Sequence, residues 1–366
     1  MRERSMKRKL KVGILGATGM VGQRFITLLD NHVWYEVVAV AASPRSAGKT
    51  YAEAVADRWK MDTAMPEAVK NLMVLDVNQV EEISAQVDFV FSAVDMSKNE
   101  IKLLEEAYAR AETPVVSNNS AHRWTADVPM IIPEVNGHHF KVIKDQRKRL
   151  GTKKGFIAVK PNCSIQSYVP CLAAWSEFKP QEVIVTTYQA ISGSGKNFEE
   201  WPEMAGNIIP YIDGEEEKSE LEPLRVLGDV KRGEIVAAKE PLISCQCVRV
   251  PVLNGHTAAV FINFKKQPTK EELIDRLLKY KGLPQTANLP SAPKQFIQYL
   301  EENDRPQVSK DVDYEAGMGV SVGRIREDNV YDFKFIGLSH NTLRGAAGGA
   351  LLTAESLTYE GYIQAK

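Results

Sequence analysis

Residues 11–22 read Lys-Val-Gly-Ile-Leu-Gly-Ala-Thr-Gly-Met-Val-Gly, and the fold turns on this stretch. A short apolar run leads straight into glycines at 16, 19 and 22, spaced as GxxGxxG. Glycines at such spacing allow a tight turn and let backbone N–H groups approach a pyrophosphate. The helix that follows adds the partial positive charge of its N-terminus. A glycine pattern alone is weak, and its setting carries the reading. Residues 23–31 place Phe25, Ile26, Leu28 and Leu29 at helical spacing, and residues 36–41 form a second, valine-rich apolar run. Strand, turn, helix and strand in this order make a βαβ unit. Further strands are expected at 73–76, 88–94 and 114–117, with a helix at 98–111. That alternation implies an α/β architecture with helices on both faces of a parallel sheet.

Residues 1–159 therefore read as a Rossmann-type nucleotide domain. Gly16, Ala17, Thr18, Gly19, Met20 and Val21 form its cofactor turn, and Ser92 lies at the end of the strand expected over 88–94. NAD-selective sites usually place an acid at the end of the second strand, for the ribose 2′-hydroxyl. Here the chain reads Ala41-Ala-Ser-Pro-Arg-Ser-Ala-Gly-Lys49, without an acid. Ser43 and Ser46 offer hydroxyls, and Arg45 offers a forked guanidinium that matches a phosphate. This set suits the 2′-phosphate of NADP.

The second half has longer runs with partial alternation at 181–188, 244–251, 256–264 and 331–338. These suit an antiparallel or mixed sheet packed on helices by one face. Residues 160–340 read as an α+β catalytic and dimerisation domain, and the C-terminal helix within 341–366 is expected to return to the first domain. Thr269 with Glu272 three residues on marks a helix start. Residues 282–306, rich in Pro, Asn and Gln, read as loop.

Composition narrows the class. The chain has 366 residues, with 46 Lys plus Arg against 47 Asp plus Glu, so no polyanion partner such as nucleic acid is implied. The basic run 141–154 carries no aromatic residue for stacking bases, and reads as a solvated helix end and loop. No run of about 18 or more apolar residues suggests a membrane span. The basic N-terminus runs into the first strand rather than a signal-peptide core, so a cytoplasmic enzyme is expected. Four cysteines in this length do not make a disulfide scaffold. Cys245 and Cys247 are spaced for one face of a strand, and no paired motif suggests a metal site.

Cys163 stands in Lys160-Pro-Asn-Cys-Ser164, at the junction of the two halves. Asn162 or Ser164 is placed to cap a helix running toward Trp175, shortened or kinked by Pro170. A thiol at a helix N-terminus has a depressed pKa and is more often the nucleophilic thiolate. Taken alone, Cys163 fits a packed core cysteine as well. His256 follows Asn254-Gly255, so it opens a strand after a tight turn, where an imidazole titrating near neutrality suits proton transfer. His138 and His139 follow a turn and are expected at the surface.

Five motifs in one order decide between these readings. Gly-Ala-Thr-Gly-x-Val-Gly-Gln at 16–23, Pro-Asn-Cys-Ser at 161–164, Tyr-Gln-Ala-Ile-Ser-Gly at 188–193, Arg249 with His256, and Ser-His-Asn-Thr-Leu-Arg-Gly at 339–345 together resemble aspartate-semialdehyde dehydrogenase. The resemblance covers nearly the whole chain, and the branch it most resembles is archaeal and fungal. It implies reversible, NADP-dependent reductive dephosphorylation of aspartyl 4-phosphate to aspartate 4-semialdehyde through a cysteine thioester, in lysine, threonine and methionine biosynthesis. It implies Cys163 as nucleophile, His256 as acid/base and Gln189 as orienting residue. Arg249 would hold the substrate carboxylate, and Arg123, Asn162 and Lys218 the phosphate. Glu216 would meet the substrate amine. Ser192, Gly193 and Asn341 would line the nicotinamide end. A homodimer or homotetramer is implied. Archaeal malonyl-CoA reductases resemble the same scaffold, but Asn162 before the cysteine favours the phosphate-using reaction. A non-catalytic nucleotide-sensing module is disfavoured because Cys163 and His256 are both present.

Overall fold

The computed structural model describes residues 8–366, and among them fourteen strands make two six-stranded sheets and one hairpin. The first sheet contains β1 (Leu10–Leu15), β2 (Tyr35–Ala42), β3 (Val74–Asp76), β4 (Phe89–Ser92), β5 (Val115–Ser117) and β6 (Ile157–Val159). Its order is β3-β2-β1-β4-β5-β6, parallel throughout. Chain order reverses at β1, so a crevice opens between the carboxyl ends of β1 and β4, where doubly wound sheets bind ligands. The glycine turn lies at its mouth. Gly16 has φ +82°, and a side chain at Gly22 would put its Cβ 2.3 Å from the Gly16 carbonyl oxygen. Only glycine lets helix Met20–Leu29 start so close to the strand.

The second sheet is mixed, ordered β10-β7-β11-β14-β13-β12. Its strands are β7 (Pro180–Gln189), β10 (Leu242–Arg249), β11 (His256–Phe264), β12 (Ile297–Leu300), β13 (Val320–Glu327) and β14 (Phe333–Ser339), while β8 (Asp229–Lys231) and β9 (Glu234–Val236) form the separate hairpin. Its register positions the site. Gln189 pairs with both Arg249 on β10 and His256 on β11, and His256 pairs with Ser339 on β14. Residues opposite one another in a sheet share a face. Arg249, Gln189 and His256 therefore stand in one row on the buried face. Cys245 and Cys247 also face inward, buried, with sulfurs 3.7 Å apart.

The stretch 282–306 is not all loop: it holds helix Leu283–Thr286 and the edge strand β12. β12 is four residues long between Pro- and Asn-rich flanks, too short for alternation to register. β13 has Arg324 at φ +61° and a register shift after Gly323, which hide its pattern. The surface expectation for the histidine pair holds for His138 only. His139 is buried, with Asn136 Nδ2 near its Nδ1 at 3.1 Å and the Gly228 carbonyl near its Nε2 at 3.0 Å.

Helix Gly348–Tyr359 buries Leu351, Ala354 and Leu357 in the same core as Phe25, Phe89 and Phe91 of the first sheet's layer. Just before it, fully buried Arg344 donates to Glu134 Oε1 at 2.8 Å and lies 4.4 Å over the Phe296 ring. Arg344→Met should cost about 3–5 kcal/mol, because it strands a buried carboxylate. Adding Glu134→Leu should restore part of that. Urea denaturation measures both, and a single-mutant cost below about 1 kcal/mol would show the pair to be dispensable.

Candidate active site

After β6 the chain crosses toward the second sheet through Lys160-Pro161-Asn162-Cys163. The crossing does not lead into one helix. Ser164–Ser167 is a 3₁₀ turn, Tyr168 breaks it at φ −138°, and helix Val169–Ala174 starts with Pro170 in its first turn. Asn162 Oδ1 accepts from the Ser164 backbone N–H at 2.7 Å, and this bond sets the turn that presents Cys163.

Cys163 Sγ lies 3.4 Å from His256 Nε2. The Ala190 N–H donates to His256 Nδ1 at 3.1 Å. A backbone amide only donates, so Nδ1 accepts, and the neutral ring carries its proton on Nε2, facing sulfur. Asn341 supports this arrangement: its Oδ1 accepts from the Gly255 N–H and its Nδ2 donates to Ser192 Oγ, both at 2.8 Å. Gly193 lies against the row, since a Cβ there would fall 2.9 Å from Arg249 Nη1 and 3.2 Å from His256 Nε2. Arg249 is buried and donates to the Ala190 carbonyl at 2.7 Å. It has no carboxylate partner among the described residues, so a buried guanidinium is left available to an anion.

The glutamate facing this row is Glu215 rather than Glu216. Glu215 is buried and accepts from Asn162 Nδ2 at 2.9 Å, Gln189 Nε2 at 3.2 Å and Lys218 Nζ at 2.9 Å. Glu216 instead accepts from the Cys247 backbone N–H at 3.2 Å, and Glu220 from that of Cys245 at 3.0 Å. Helix Glu215–Val226 thus covers the open edge of β10: residues one helical turn apart meet alternate strand amides. Arg123 is nearly buried too. It donates to Glu222 at 2.8 Å and to the Lys160 carbonyl at 3.1 Å, and its Nη2 has no acceptor among the described residues.

Charge at the site differs from the expectation in two respects. Burial pushes the Cys163 thiol up, with Glu215 adding to it, against Lys160, Arg123 and Arg249. A four-residue 3₁₀ turn supplies little dipole to oppose that. Burial and the nearby Arg249 guanidinium pull His256 down to about 3, so its ring is neutral at neutral pH. Against burial, Lys218 and the hydrogen bonds from Asn162 and Gln189 hold Glu215 below the usual carboxylate range.

The cofactor crevice is a cavity of about 480 Å³ lined by Gly16, Thr18, Gly19, Ser43, Arg45 and Ser46. Lys49 also lines it, as does Asn78; neither stood out in the sequence, although Lys49 closes the same turn as Arg45. Ala17 is buried beneath the turn, and Met20 and Val21 are half-buried at the helix start. Ser92 is not brought to the wall: it is fully buried, and its Oγ accepts from Asn119 Nδ2 at 3.1 Å. Ser192, Gly193 and Asn341 gather beside His256 and Arg249. No helix among the described residues is long and apolar enough to cross a membrane.

Two family descriptions match the chain: semialdehyde dehydrogenase, NAD binding domain, over residues 11–143, and semialdehyde dehydrogenase, dimerisation domain, over residues 172–344. The aspartate-semialdehyde dehydrogenase of Aspergillus fumigatus is 41% identical over 364 residues, covering 97% of this chain and 99% of that protein. That of Methanothermobacter thermautotrophicus is 40% identical over 351 residues, 94% of this chain and 98% of that one. Among solved structures, the Candida albicans enzyme with NADP superposes with a TM-score of 0.87 at 39% identity, covering 97% of this chain and 100% of that one. Aspartate semialdehyde dehydrogenase II of Vibrio cholerae, complexed with ASA, gives 0.73 at 25% identity, covering 97% and 99%.

Proposed function

The chain belongs to the aspartate-semialdehyde dehydrogenase family, and from that premise we propose that Cys163 is its nucleophile, His256 the hydrogen-bond donor to the developing oxyanion and Arg249 its carboxylate anchor. The activity is aspartate-semialdehyde dehydrogenase, in aspartate-family amino-acid biosynthesis, with NADP as cofactor. The observation that carries the residue roles is the Cys163–His256 contact at 3.4 Å beside a buried arginine without a carboxylate partner.

The roles follow from this geometry. Cys163 attacks the acyl phosphate carbon, and the C–O bond to phosphate breaks, leaving a thioester. NADPH, when bound, supplies the hydride that reduces it. The Nε2 proton of His256 faces the place where oxyanion charge develops, and a donor so placed is worth on the order of 10²–10³-fold. Glu215, through Asn162, Gln189 and Lys218, holds three polar groups in one geometry and takes the substrate-amine role expected of Glu216. Arg123 Nη2 and Lys218 Nζ supply charge for phosphate. Gly16, Gly19 and Gly22 leave room for a pyrophosphate, and Arg45 with Ser43, Ser46 and Lys49 suits a 2′-phosphate.

Three tests follow. Arg45→Ala should raise KM for NADP far more than for NAD, since only NADP carries the 2′-phosphate; equal effects would reduce Arg45 to a turn residue. Arg249→Leu should raise KM for aspartate semialdehyde about ten- to a hundredfold, with phosphate KM nearly unchanged. Arg123→Leu should raise phosphate KM and also lower stability, because Glu222 loses its partner. Equal shifts of both KM values in both variants would end the two-site division. The outward face of the second sheet exposes Ile184, Tyr188 and Leu242, and we assign it to a homodimer contact. Sedimentation should then give a dimer, and Tyr188→Glu should shift it toward monomer.

A further inference from the structure

Helix Glu215–Val226 turns one side toward the segment that carries the cysteine. Glu215, Ser219 and Glu222 stand at i, i+4 and i+7, on one face of the helix. Each meets residues 162–164. Glu215 accepts from Asn162 Nδ2 at 2.9 Å, Ser219 Oγ lies 3.2 Å from Ser164 Oγ, and Glu222 Oε2 accepts from the Asn162 backbone N–H at 2.5 Å. Glu222 has a second partner. Its Oε1 accepts from Arg123 Nη1 at 2.8 Å, and the residue is only 1% exposed. Arg123 Nε in turn donates to the Lys160 carbonyl at 3.1 Å. Arg123 and Glu222 therefore clip the chain on both sides of Pro161, which has no N–H of its own. The loop after β5, the crossing between the sheets and the helix covering β10 meet at this one carboxylate. We propose that Glu222 is a positioning residue for the reaction, fixing the guanidinium that takes phosphate relative to the turn that presents Cys163. This rests on Arg123 being a phosphate-binding group.

The position needs a carboxylate. Two groups that only donate converge on it, a guanidinium and a backbone amide. A carboxylate offers each an oxygen. An amide side chain in the same place offers one oxygen and one N–H, so one donor must let go. The Asn162 N–H is fixed in the backbone, next to the turn that Asn162 Oδ1 sets through Ser164. Arg123 is a side chain and keeps the Lys160 carbonyl as a second anchor, so the guanidinium is the partner released. Held at one point instead of two, it swivels, and phosphate must then order it on binding. Arg249 is held separately, by the Ala190 carbonyl, so the carboxylate of the aldehyde substrate does not depend on this clip. A fault in Glu222 therefore reads out on phosphate and spares the aldehyde.

The experiment is steady-state kinetics of the whole enzyme with phosphate and aspartate semialdehyde varied in turn. The variants are Glu222→Gln, Arg123→Leu and the two combined, and NADP binding checks the fold of each. Glu222→Gln should raise phosphate KM about tenfold and leave aldehyde KM nearly unchanged. The double variant should show the phosphate KM of Arg123→Leu alone, because Glu222 acts through Arg123. Glu222→Asp keeps the charge and serves if Glu222→Gln does not fold. One methylene shorter, it cannot reach both donors, and it should raise phosphate KM with the same selectivity. A phosphate KM unmoved in both Glu222 variants overturns the proposal, and so does a rise matched by the aldehyde KM, the mark of a merely structural role. Additive rises in the double variant also overturn it, since Glu222 would then act without Arg123. If Arg123→Leu by itself leaves phosphate KM unmoved, the reading of Arg123 as a phosphate-binding group falls, and this proposal falls with it.

Discussion

Cys163→Ser is expected to lower turnover by several orders of magnitude while NADP still binds. The oxygen of serine is far less ionised than sulfur at any working pH, and the cofactor crevice shares none of its lining residues with the cysteine turn. Selective alkylation should give the same answer. Cys171 and Cys247 are fully buried and Cys245 nearly so, whereas Cys163 is partly accessible. Iodoacetamide should therefore modify Cys163 first, with activity lost in step. Loss of activity tracking Cys171 or Cys245 would remove the assignment.

His256→Ala carries the second large effect, about 10²–10³-fold in turnover, because the N–H donor facing the sulfur and the developing oxyanion is lost. The sign of its pH behaviour follows from burial. Its pKa is depressed to about 3, so the ring gains its second proton only in strong acid. No break in the pH–rate profile near the ordinary imidazole value should belong to His256. His256→Asn, which keeps an N–H donor, should retain more activity than His256→Ala and leave any neutral break where it was. A neutral break that vanished in His256→Asn would show that the imidazole titrates after all.

The nucleotide-binding half was readable because its signals are local. Glycines at 16 and 22 each meet a steric demand of the turn, and the end of β2 lacks the acid that NAD needs. Thr269 and Glu272 form the capping box that their spacing implies. β11 starts at His256, as its tight turn requires. Other features depend on packing. In Glu215-Glu216-Glu217 all three residues are identical, so sequence leaves the helical phase open; it is set by where the helix meets β10. The cysteine's ionisation could not be read from Pro-Asn-Cys-Ser, because a local helix dipole is visible in sequence and burial is not. β12 and β13 escaped because one is short and the other bulged.

The central claim is that acyl transfer runs through a thioester on Cys163. Mixing the enzyme with aspartate semialdehyde and NADP, with phosphate left out, isolates that step. Hydride transfer should proceed about once per site and stop, because nothing is present to attack the thioester rapidly. Acid quench and peptide mass should then place an aspartyl acyl group on the peptide containing Cys163, and phosphate added before the quench should remove it. Steady NADPH formation without phosphate and without a covalent adduct, or an adduct on another residue, would contradict the account.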